Sequence, residues 1–245
     1  MTAQQAPAHF PGAVALSRLG VYDWEAADGV CGGSPHMHTA STEAYLVLSG
    51  TGKVETIRQS GYASYDLAPN DLLWFTPGTI HRLVNQDNLE ILVVMQNSGL
   101  PEAGDAVLTF DADTMASPER YAKAASLPGG PSSSLPDAAR ARRDAAMAGY
   151  QRIKEAALAG QHDVVEQFQR DAVRLVQARV PAWQALWDKT IAPEAARTET
   201  WLKELAAGRF SHFADAAVVR AQAAGPERAF GMCGRLQKWE PGRQA

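Results

Sequence analysis

The sequence predicts a mainly β protein, a small antiparallel barrel followed by an α-helical C-terminal region, and α+β overall. Short apolar runs recur between residues 13 and 110, separated by Gly, Pro and Asn, which is typical of many short antiparallel strands. After the breaker-rich segment 127–134, apolar residues recur at helical spacing and alanine becomes abundant. We therefore expect a barrel domain at 1–126, a linker at 127–134, helices at 135–224 and a C-terminal strand and tail at 225–245.

Three of the six histidines cluster within the barrel region. His36 and His38 are two residues apart, so a strand would present both imidazoles on one face. The small polar residues 39–42 predict a loop that lets a new strand begin at Glu43. His81 follows a Pro-Gly turn and starts another strand. These residues are candidate metal ligands.

Two further features refine this picture of the barrel. The strand that begins at Glu43 is expected to end at residues 49–52, a Gly-containing turn signal that joins hairpins. Three neutral imidazoles and one carboxylate suit Fe, Mn, Ni, Cu or Zn better than Ca or Mg. Four protein ligands would leave open positions on a five- or six-coordinate ion for substrate, water or dioxygen.

The spacing of these residues resembles the two motifs of the cupin family. The first motif, H-x-H-x4-E-x6-G, matches His36, His38, Glu43 and Gly50, and the second, G-x-x-H-x3-N, matches Gly78, His81 and Asn85. The proline of the second motif is displaced, since Pro77 stands next to the glycine. The resemblance covers roughly residues 15–112. It implies a jelly-roll barrel (a double-stranded β-helix) with one divalent transition metal bound by His36, His38, Glu43 and His81.

The resemblance says less about the reaction, because the cupin family includes dioxygenases, sugar isomerases and epimerases, decarboxylases, storage proteins and sensor domains. It favours a metal-dependent enzyme acting on a small molecule, by dioxygenase-type oxidation or sugar-type isomerisation. The alternative is a non-catalytic small-molecule-binding or sensory cupin whose helices mediate dimerisation or signalling. A regulator with two helix-turn-helix units is disfavoured, because residues 135–224 have a net charge of only +2 and no basic recognition stripe.

Few other residues stand out as catalytic candidates. Tyr45 shares a strand face with Glu43 and is a candidate substrate-binding or catalytic residue, although a packed core tyrosine is the simpler interpretation. Arg82 follows His81 and is a weaker substrate-binding candidate, because it should point away from the metal face. Cys31 lies five residues before His36 and is expected to be an ordinary buried thiol.

The region after the barrel is expected to contain four or five helices, from near Pro136 to before Gly225. Pro181 is expected to close one of them, and residues 113–125 to form one short helix before the linker. Tryptophans at 183, 187 and 201 are interpreted as core, and histidines at 162 and 212 as solvated. Residues 228–239 predict a strand that adds to a sheet edge of its own barrel or of a partner's.

Composition and charge exclude several classes of protein. Residues 1–134 carry six basic and fourteen acidic side chains, which disfavours nucleic acid and anionic membranes as partners. Polyanionic substrates are mildly disfavoured, unless an arginine in the pocket overrides the charge. No apolar run approaches the length of a membrane span, and the N-terminus lacks a signal peptide pattern. Two cysteines provide no disulfide framework, so we expect a cytoplasmic protein, with a homodimer implied by the family resemblance.

Overall fold

The computed structural model describes residues 10–129, 134–224 and 228–240. Within these ranges every strand pairing is antiparallel. The strands are β1 (Ala15–Val21), β2 (His36–His38), β3 (Glu43–Arg58), β4 (Gly61–Leu67), β5 (Leu72–Phe75), β6 (Ile80–Met95), β7 (Ala106–Leu108), β8 (Gln222–Ala223), β9 (Ala229–Phe230) and β10 (Gly234–Glu240). The helices are α1 (Ala112–Met115), α2 (Pro118–Ala125), α3 (Leu135–Leu158), α4 (His162–Val176), α5 (Val180–Thr190) and α6 (Ala192–Ala206).

Two long strands form the centre of the barrel. β3 and β6 each have 16 residues and pair along most of their length, with β4 and β5 beside β3 and with β1 and β2 beside β6. The prediction of a hairpin turn at residues 49–52 is wrong. β3 instead continues through this segment with register shifts, and Gly50 adopts a φ of 75° there. A Cβ on Gly50 would lie 2.3 Å from the carbonyl oxygens of Asp87 and Asn88, so the glycine allows the two strands to bend together.

Three predictions about helices need correction. Residues 113–125 form two helices, α1 and α2, because Ser117 caps a second start and Pro118 occupies its first turn. Pro181 lies in the first turn of α5, after a short 3₁₀ segment, and so opens a helix instead of closing one. The last α-helix ends at Ala206, and the described residues up to 224 contain only a 3₁₀ turn and the short β8 after it.

Helices α1 to α5 share a hydrophobic core with the barrel. Met147, Tyr150 and Ile153 of α3 belong to the same buried cluster as Ile57 and Ile80 of the barrel strands. A second cluster fills the barrel interior. Trp183 joins the shared core as predicted, whereas Trp187 and Trp201 are each 37% exposed. None of the helices in the described ranges has the length and apolar character needed to cross a membrane.

The end of the chain returns to the barrel. Residues 228–239 were expected to form one strand, but the structure divides them into β9 and β10 with a turn between them. β10 pairs with β1, so this segment extends the sheet of its own barrel. Parts of the expected linker (130–133) and of the expected tail (225–227 and 241–245) lie outside the described residues.

Candidate metal centre

Three strands bring the candidate ligands to one place in the barrel. His36 and His38 lie two residues apart on β2, and Glu43 is the first residue of β3 after the predicted loop. His36 lies directly opposite His81 in the pairing of β2 with β6. The side chains of all four residues are buried. One potential ligand atom from each of them lies within 4.8 Å of the others.

Glu43 lies between two of the imidazoles. Its Oε2 atom is 3.3 Å from Nε2 of His38 and 3.2 Å from Nε2 of His81. The ring of His36 meets that of His81 edge to face, with centroids 4.2 Å apart. The group is therefore compact enough for one ion to contact all four side chains.

Each imidazole is held through its Nδ1 atom by a hydrogen-bond acceptor. His36 Nδ1 lies 3.0 Å from the carbonyl oxygen of Ser34, and His81 Nδ1 lies 3.2 Å from that of Thr79. His38 Nδ1 lies 3.3 Å from Oδ2 of Asp105. A carbonyl or carboxylate acceptor fixes the proton on Nδ1, so that the Nε2 lone pair is available to a metal.

Burial and the neighbouring charged groups both shift the pKa values of the candidate ligands. Burial, together with the nearby His81 and His38, holds the pKa of His36 well below its usual value. Burial raises the pKa of Glu43, but the adjacent imidazoles of His38 and His81 outweigh it and hold that pKa well below the usual range. Burial likewise lowers the pKa of His38, yet the carboxylates of Asp105 and Glu43 raise it to about 9. Glu43 is thus an anion in a buried site, as a metal ligand has to be.

Two buried ligand atoms support the assignment of a metal to this group. Within the described chain, neither Glu43 Oε2 nor His81 Nε2 has a hydrogen-bond partner. Leaving buried polar atoms unsatisfied costs free energy, and a divalent cation would satisfy both. Three nitrogens and one carboxylate oxygen form a donor set for a transition metal, so these residues fit such an ion.

A cavity of about 290 Å³ opens beside the group. His36, His38 and Glu43 line it, together with residues of β1, the loop before β7, α3 and the C-terminal hairpin. Its apolar wall includes Val93, Met95, Met232 and Leu236. Two larger surface concavities, of about 480 and 370 Å³, contain none of the four candidate ligands.

Three residues of the site could not be identified from the motifs. Asp105 holds His38, while Cys233 and Arg142 line the cavity from the far end of the chain and from α3. Cys233 Sγ lies 3.8 Å from Nδ1 of His36. Cys31, the cysteine nearer to the motif in sequence, instead donates to the carbonyl oxygen of Asp23.

Tyr45 is fully buried beside the group, with its ring edge to face against Phe75. Its hydroxyl has no hydrogen-bond partner in the described chain, and it is absent from the cavity lining. Burial and the charge of Glu43 raise the pKa of Tyr45 well above its usual value. The structure thus places Tyr45 in the wall that supports the candidate ligands.

Arg82 is not brought to the cavity. Its guanidinium donates to both carboxylate oxygens of Asp28, at 2.5 and 3.1 Å, and lies 3.8 Å from Glu55. Of the two histidines expected to be solvated, His162 is exposed at the start of α4. His212 is instead half-covered, stacked on Trp201 with its Nδ1 3.3 Å from a carboxylate oxygen of Glu204.

No curated protein matches this chain. The solved structures similar to it include a provisionally named sugar phosphate isomerase from Acidithiobacillus ferrooxidans, with 30% identity over 26% of this chain and 40% of that one and a TM-score of 0.23. A TDP-quinovose 3,4-ketoisomerase from Campylobacter jejuni has 15% identity over 34% of this chain and 60% of that one, with a TM-score of 0.28. A predicted oxalate decarboxylase from Thermotoga maritima has 21% identity over 34% and 64%, with a TM-score of 0.26.

The chain thus spans less than two thirds of the length of these structures, and the likeness carries no argument about activity. A family model gives a more local result. The cupin domain model matches residues 23–95, which include both motifs and all four candidate ligands. This chain therefore carries a cupin domain.

Proposed function

We propose that the protein is a metal-dependent enzyme that acts on a small molecule in the cavity beside His36, His38, Glu43 and His81. The observation that carries this proposal is the arrangement of four buried ligand-type side chains around one point, each imidazole with a hydrogen-bond acceptor beside its Nδ1 atom. The adjoining cavity gives a substrate access to three of these residues.

The chain's own residues would hold the ion, orient the substrate and exclude water. A bound divalent transition metal supplies Lewis-acid polarisation of a substrate oxygen, or redox chemistry if it is Fe, Mn or Cu. Met232, Leu236 and Val93 supply an apolar wall that displaces water from the bound substrate. Cys233 lines the same cavity, and burial together with the charge of Glu43 raises the pKa of its thiol well above the usual value, so it stays neutral there.

Two reaction types remain within this proposal. Dioxygenase-type oxidation needs a redox metal, whereas sugar-type isomerisation needs a Lewis acid and a separate base. Metal-loaded protein is therefore to be screened with small-molecule substrates in an oxygen electrode and, in parallel, by NMR for isomerised products. Oxygen uptake that depends on one substrate supports oxidation, and product formation without oxygen supports isomerisation.

The proposed metal site is tested by elemental analysis of protein purified without chelators. We expect about one equivalent of Fe, Mn, Ni, Cu or Zn in the wild type. His36→Ala and His81→Ala should lose the metal while remaining folded by circular dichroism, and His162→Ala, at an exposed position, should retain it. Undiminished metal in the His81→Ala protein would overturn the ligand assignment.

A second candidate is a non-catalytic binding or sensory module. It is favoured by one observation: Arg142 of α3 and the turn that contains Cys233 both line the cavity, so a bound ligand would contact elements outside the cupin domain. Ligand binding that shifts hydrogen exchange in α3 without any turnover by the metal-loaded protein would support this alternative.

The setting that we propose is a reducing cytoplasm, with the protein as a homodimer. Both cysteines are free thiols, as is usual for proteins of that compartment. Sedimentation velocity of the full chain tests the dimer, since a single species near the monomer mass of 26.3 kDa would contradict it.

A further inference from the structure

An arginine in the wall of the cavity has no acidic partner among the residues that the structure describes. We propose that Arg142 binds the anionic group of the substrate, so that the enzyme acts on a small carboxylate or phosphate compound. This inference rests on the proposed function, because it names the substrate class of the same cavity. It concerns a residue of α3, outside the cupin domain at residues 23–95.

Arg142 is half-buried and incompletely hydrogen-bonded. Its Nη1 atom donates to the carbonyl oxygen of Ala125 at 3.3 Å, and its Nη2 atom donates to that of Gly231 at 2.7 Å. Its Nε atom is buried and has no partner among the described residues. A guanidinium has five N–H donors, so several of them remain for a ligand.

The charge of Arg142 is uncompensated in the described part of the chain. The two fully buried arginines of the described chain each form an ion pair with a carboxylate, Arg82 with Asp28 and Arg143 with Asp144. Arg142 has no such ion pair, and burial lowers its pKa without a carboxylate to oppose the effect. A partly buried charge without a counter-ion carries a desolvation cost, and a carboxylate or phosphate that binds the guanidinium relieves this cost through charge-assisted hydrogen bonds.

Arg142 lines the same cavity as His36, His38 and Glu43 of the metal group. The arginine binds the carbonyl oxygen of Gly231, and two residues later Cys233 Sγ lies 3.8 Å from His36 Nδ1. At the rim, Lys238 and Glu102 lie 3.4 Å apart and compensate each other. The lining of one cavity therefore contains both a basic side chain without an ion pair among the described residues and most of a metal-type group.

The volume of the cavity restricts the size of the ligand. About 290 Å³ is at the lower end of the range for small-molecule pockets and corresponds to roughly ten water molecules. A compact acid or phosphate ester fits this space, with its anionic group on Arg142 and a second oxygen directed to the metal group. The acidic character of residues 1–134 does not oppose this assignment, because the guanidinium of Arg142 supplies a positive charge at the cavity wall.

A structural role is the competing explanation, because Arg142 also ties α2 and the C-terminal turn to α3 through its two carbonyl contacts. A purely structural arginine would change stability but would not make the protein distinguish an anion from its neutral analogue. The discriminating measurement is therefore the relative affinity for a charged and an uncharged probe of similar size.

The experiment is isothermal titration calorimetry of the full chain with malonate, methylphosphonate and the neutral malonamide. Each probe is titrated into metal-free and metal-loaded wild type, Arg142→Met and Arg140→Met. Arg140 is the matched control because it lies on the same helix but stacks on Trp24 and does not line the cavity. We expect malonate or methylphosphonate to bind the wild type and Arg140→Met at least tenfold more tightly than Arg142→Met, and malonamide to bind all three weakly.

The outcomes separate this inference from the proposed function. Anion binding that is lost in Arg142→Met, in a protein that takes up no metal, would support the anion site and overturn the metal enzyme. Stoichiometric metal with no anion binding, or equal malonate affinity in wild type and Arg142→Met, would overturn the anion site alone. The preferred probe, malonate or methylphosphonate, identifies the substrate as a carboxylate or a phosphate compound.

A second measurement keeps the test decisive if Arg142→Met does not fold. Wild-type protein is treated with phenylglyoxal, with and without saturating malonate and methylphosphonate, and modification of each arginine is followed by tandem mass spectrometry. Protection confined to Arg142, with Arg140 modified equally in all samples, supports the proposal. Equal modification of Arg142 with and without both anions overturns it.

Discussion

Asp105 holds His38 in place, with its Oδ2 atom 3.3 Å from the Nδ1 atom of the imidazole. The same carboxylate accepts hydrogen bonds from the backbone N–H groups of Thr39, Ala40 and Ser41, at 2.8, 2.7 and 3.1 Å. One side chain thus orients a candidate ligand and also fixes the loop that carries the chain from His38 to the next ligand. Burial raises the pKa of Asp105, but hydrogen bonds from His38 and Thr39 outweigh it and keep that pKa far below its usual value.

The first prediction concerns this carboxylate. Asp105→Asn should lower the metal affinity about 10- to 100-fold. An amide favours the Nδ1-protonated imidazole less than a carboxylate does, and its NH2 group cannot accept a hydrogen bond from the backbone of the loop. Competition with a chromophoric chelator measures the affinity. Asp111→Asn is the control, since Asp111 caps α1 and touches no ligand. Equal metal affinity of the Asp105→Asn protein and the wild type would contradict the supporting role.

Metal removal should reduce stability. An ion that binds only the folded chain stabilises it by about 2.7 kcal/mol when free metal is 100 times the dissociation constant. For a chain of this size, that corresponds to a rise of roughly 5–10 °C in Tm. Calorimetric scans with added metal and with EDTA measure the shift. The Glu43→Gln protein should show little difference between the two conditions, and a shift as large as that of the wild type would argue against ligation by Glu43.

The contact between α3 and the barrel should depend on pH through Glu55. Its carboxylate accepts hydrogen bonds from Tyr62, Tyr150 and Lys154 at 2.9, 2.9 and 2.6 Å. Burial raises the pKa of Glu55, but hydrogen bonds from Lys154 and Tyr62 outweigh it and lower that pKa below 4.5. Because the folded pKa is depressed, the stabilisation is complete above the unfolded pKa and is lost as the pH falls through the folded value.

We therefore expect Glu55→Gln to cost about 2–3 kcal/mol of unfolding free energy at pH 7, and the difference from wild type to shrink below about pH 4.5. Urea denaturation over a pH series measures both. Glu166→Gln, which breaks an exposed pair with Arg170, should cost at most about 0.5 kcal/mol. A cost for Glu55→Gln that stays constant down to pH 3 would show that charge is not its cause.

Gly149 lets α3 approach the barrel closely. A Cβ at this position would lie 2.3 Å from the carbonyl oxygen of Thr109 and 2.2 Å from that of Phe110. In an open helix, alanine is about 1 kcal/mol more stable than glycine, but here overpacking should reverse the sign and cost about 1–3 kcal/mol. Chemical denaturation tests this expectation. Gly129→Ala, where no atom lies within 4 Å of the added Cβ, should be close to neutral.

The grouping of the four candidate ligands could be predicted from the sequence because their spacing follows local geometry. His36 and His38 share a face through the two-residue period of a strand, and Glu43 follows after a loop of small polar residues. The turn expected at residues 49–52 illustrates the limit of such signals. A glycine that normally joins a hairpin instead allows a bend in β3, because β6 continues opposite it and supplies partners on both sides of the bend.

The rest of the site depends on contacts between distant parts of the chain. Asp105 and Cys233 lie 67 and 197 residues from the histidines that they approach, Arg142 lies in a helix beyond both motifs, and no local pattern distinguishes these three from other residues of their type. Tertiary packing alone selects Cys233 over Cys31 as the thiol beside His36. Tertiary contact also determines the partner of Arg82. Alternation along β6 directs its side chain away from the cavity, and the fold then pairs it with Asp28.

The pairing of β10 with β1 has a consequence for the order in which the molecule is assembled. Ser17 lies opposite Lys238, so this edge of the barrel closes only after more than two hundred intervening residues have been synthesised. Contacts of such long range are slow to form, because the entropy of closing the loop is lost before the contact stabilises it. Since Met232, Cys233 and Leu236 line the cavity, the motif histidines can meet in a nascent chain well before an enclosed pocket exists around them. Binding of metal and binding of substrate would thus become possible at different moments in the life of the polypeptide.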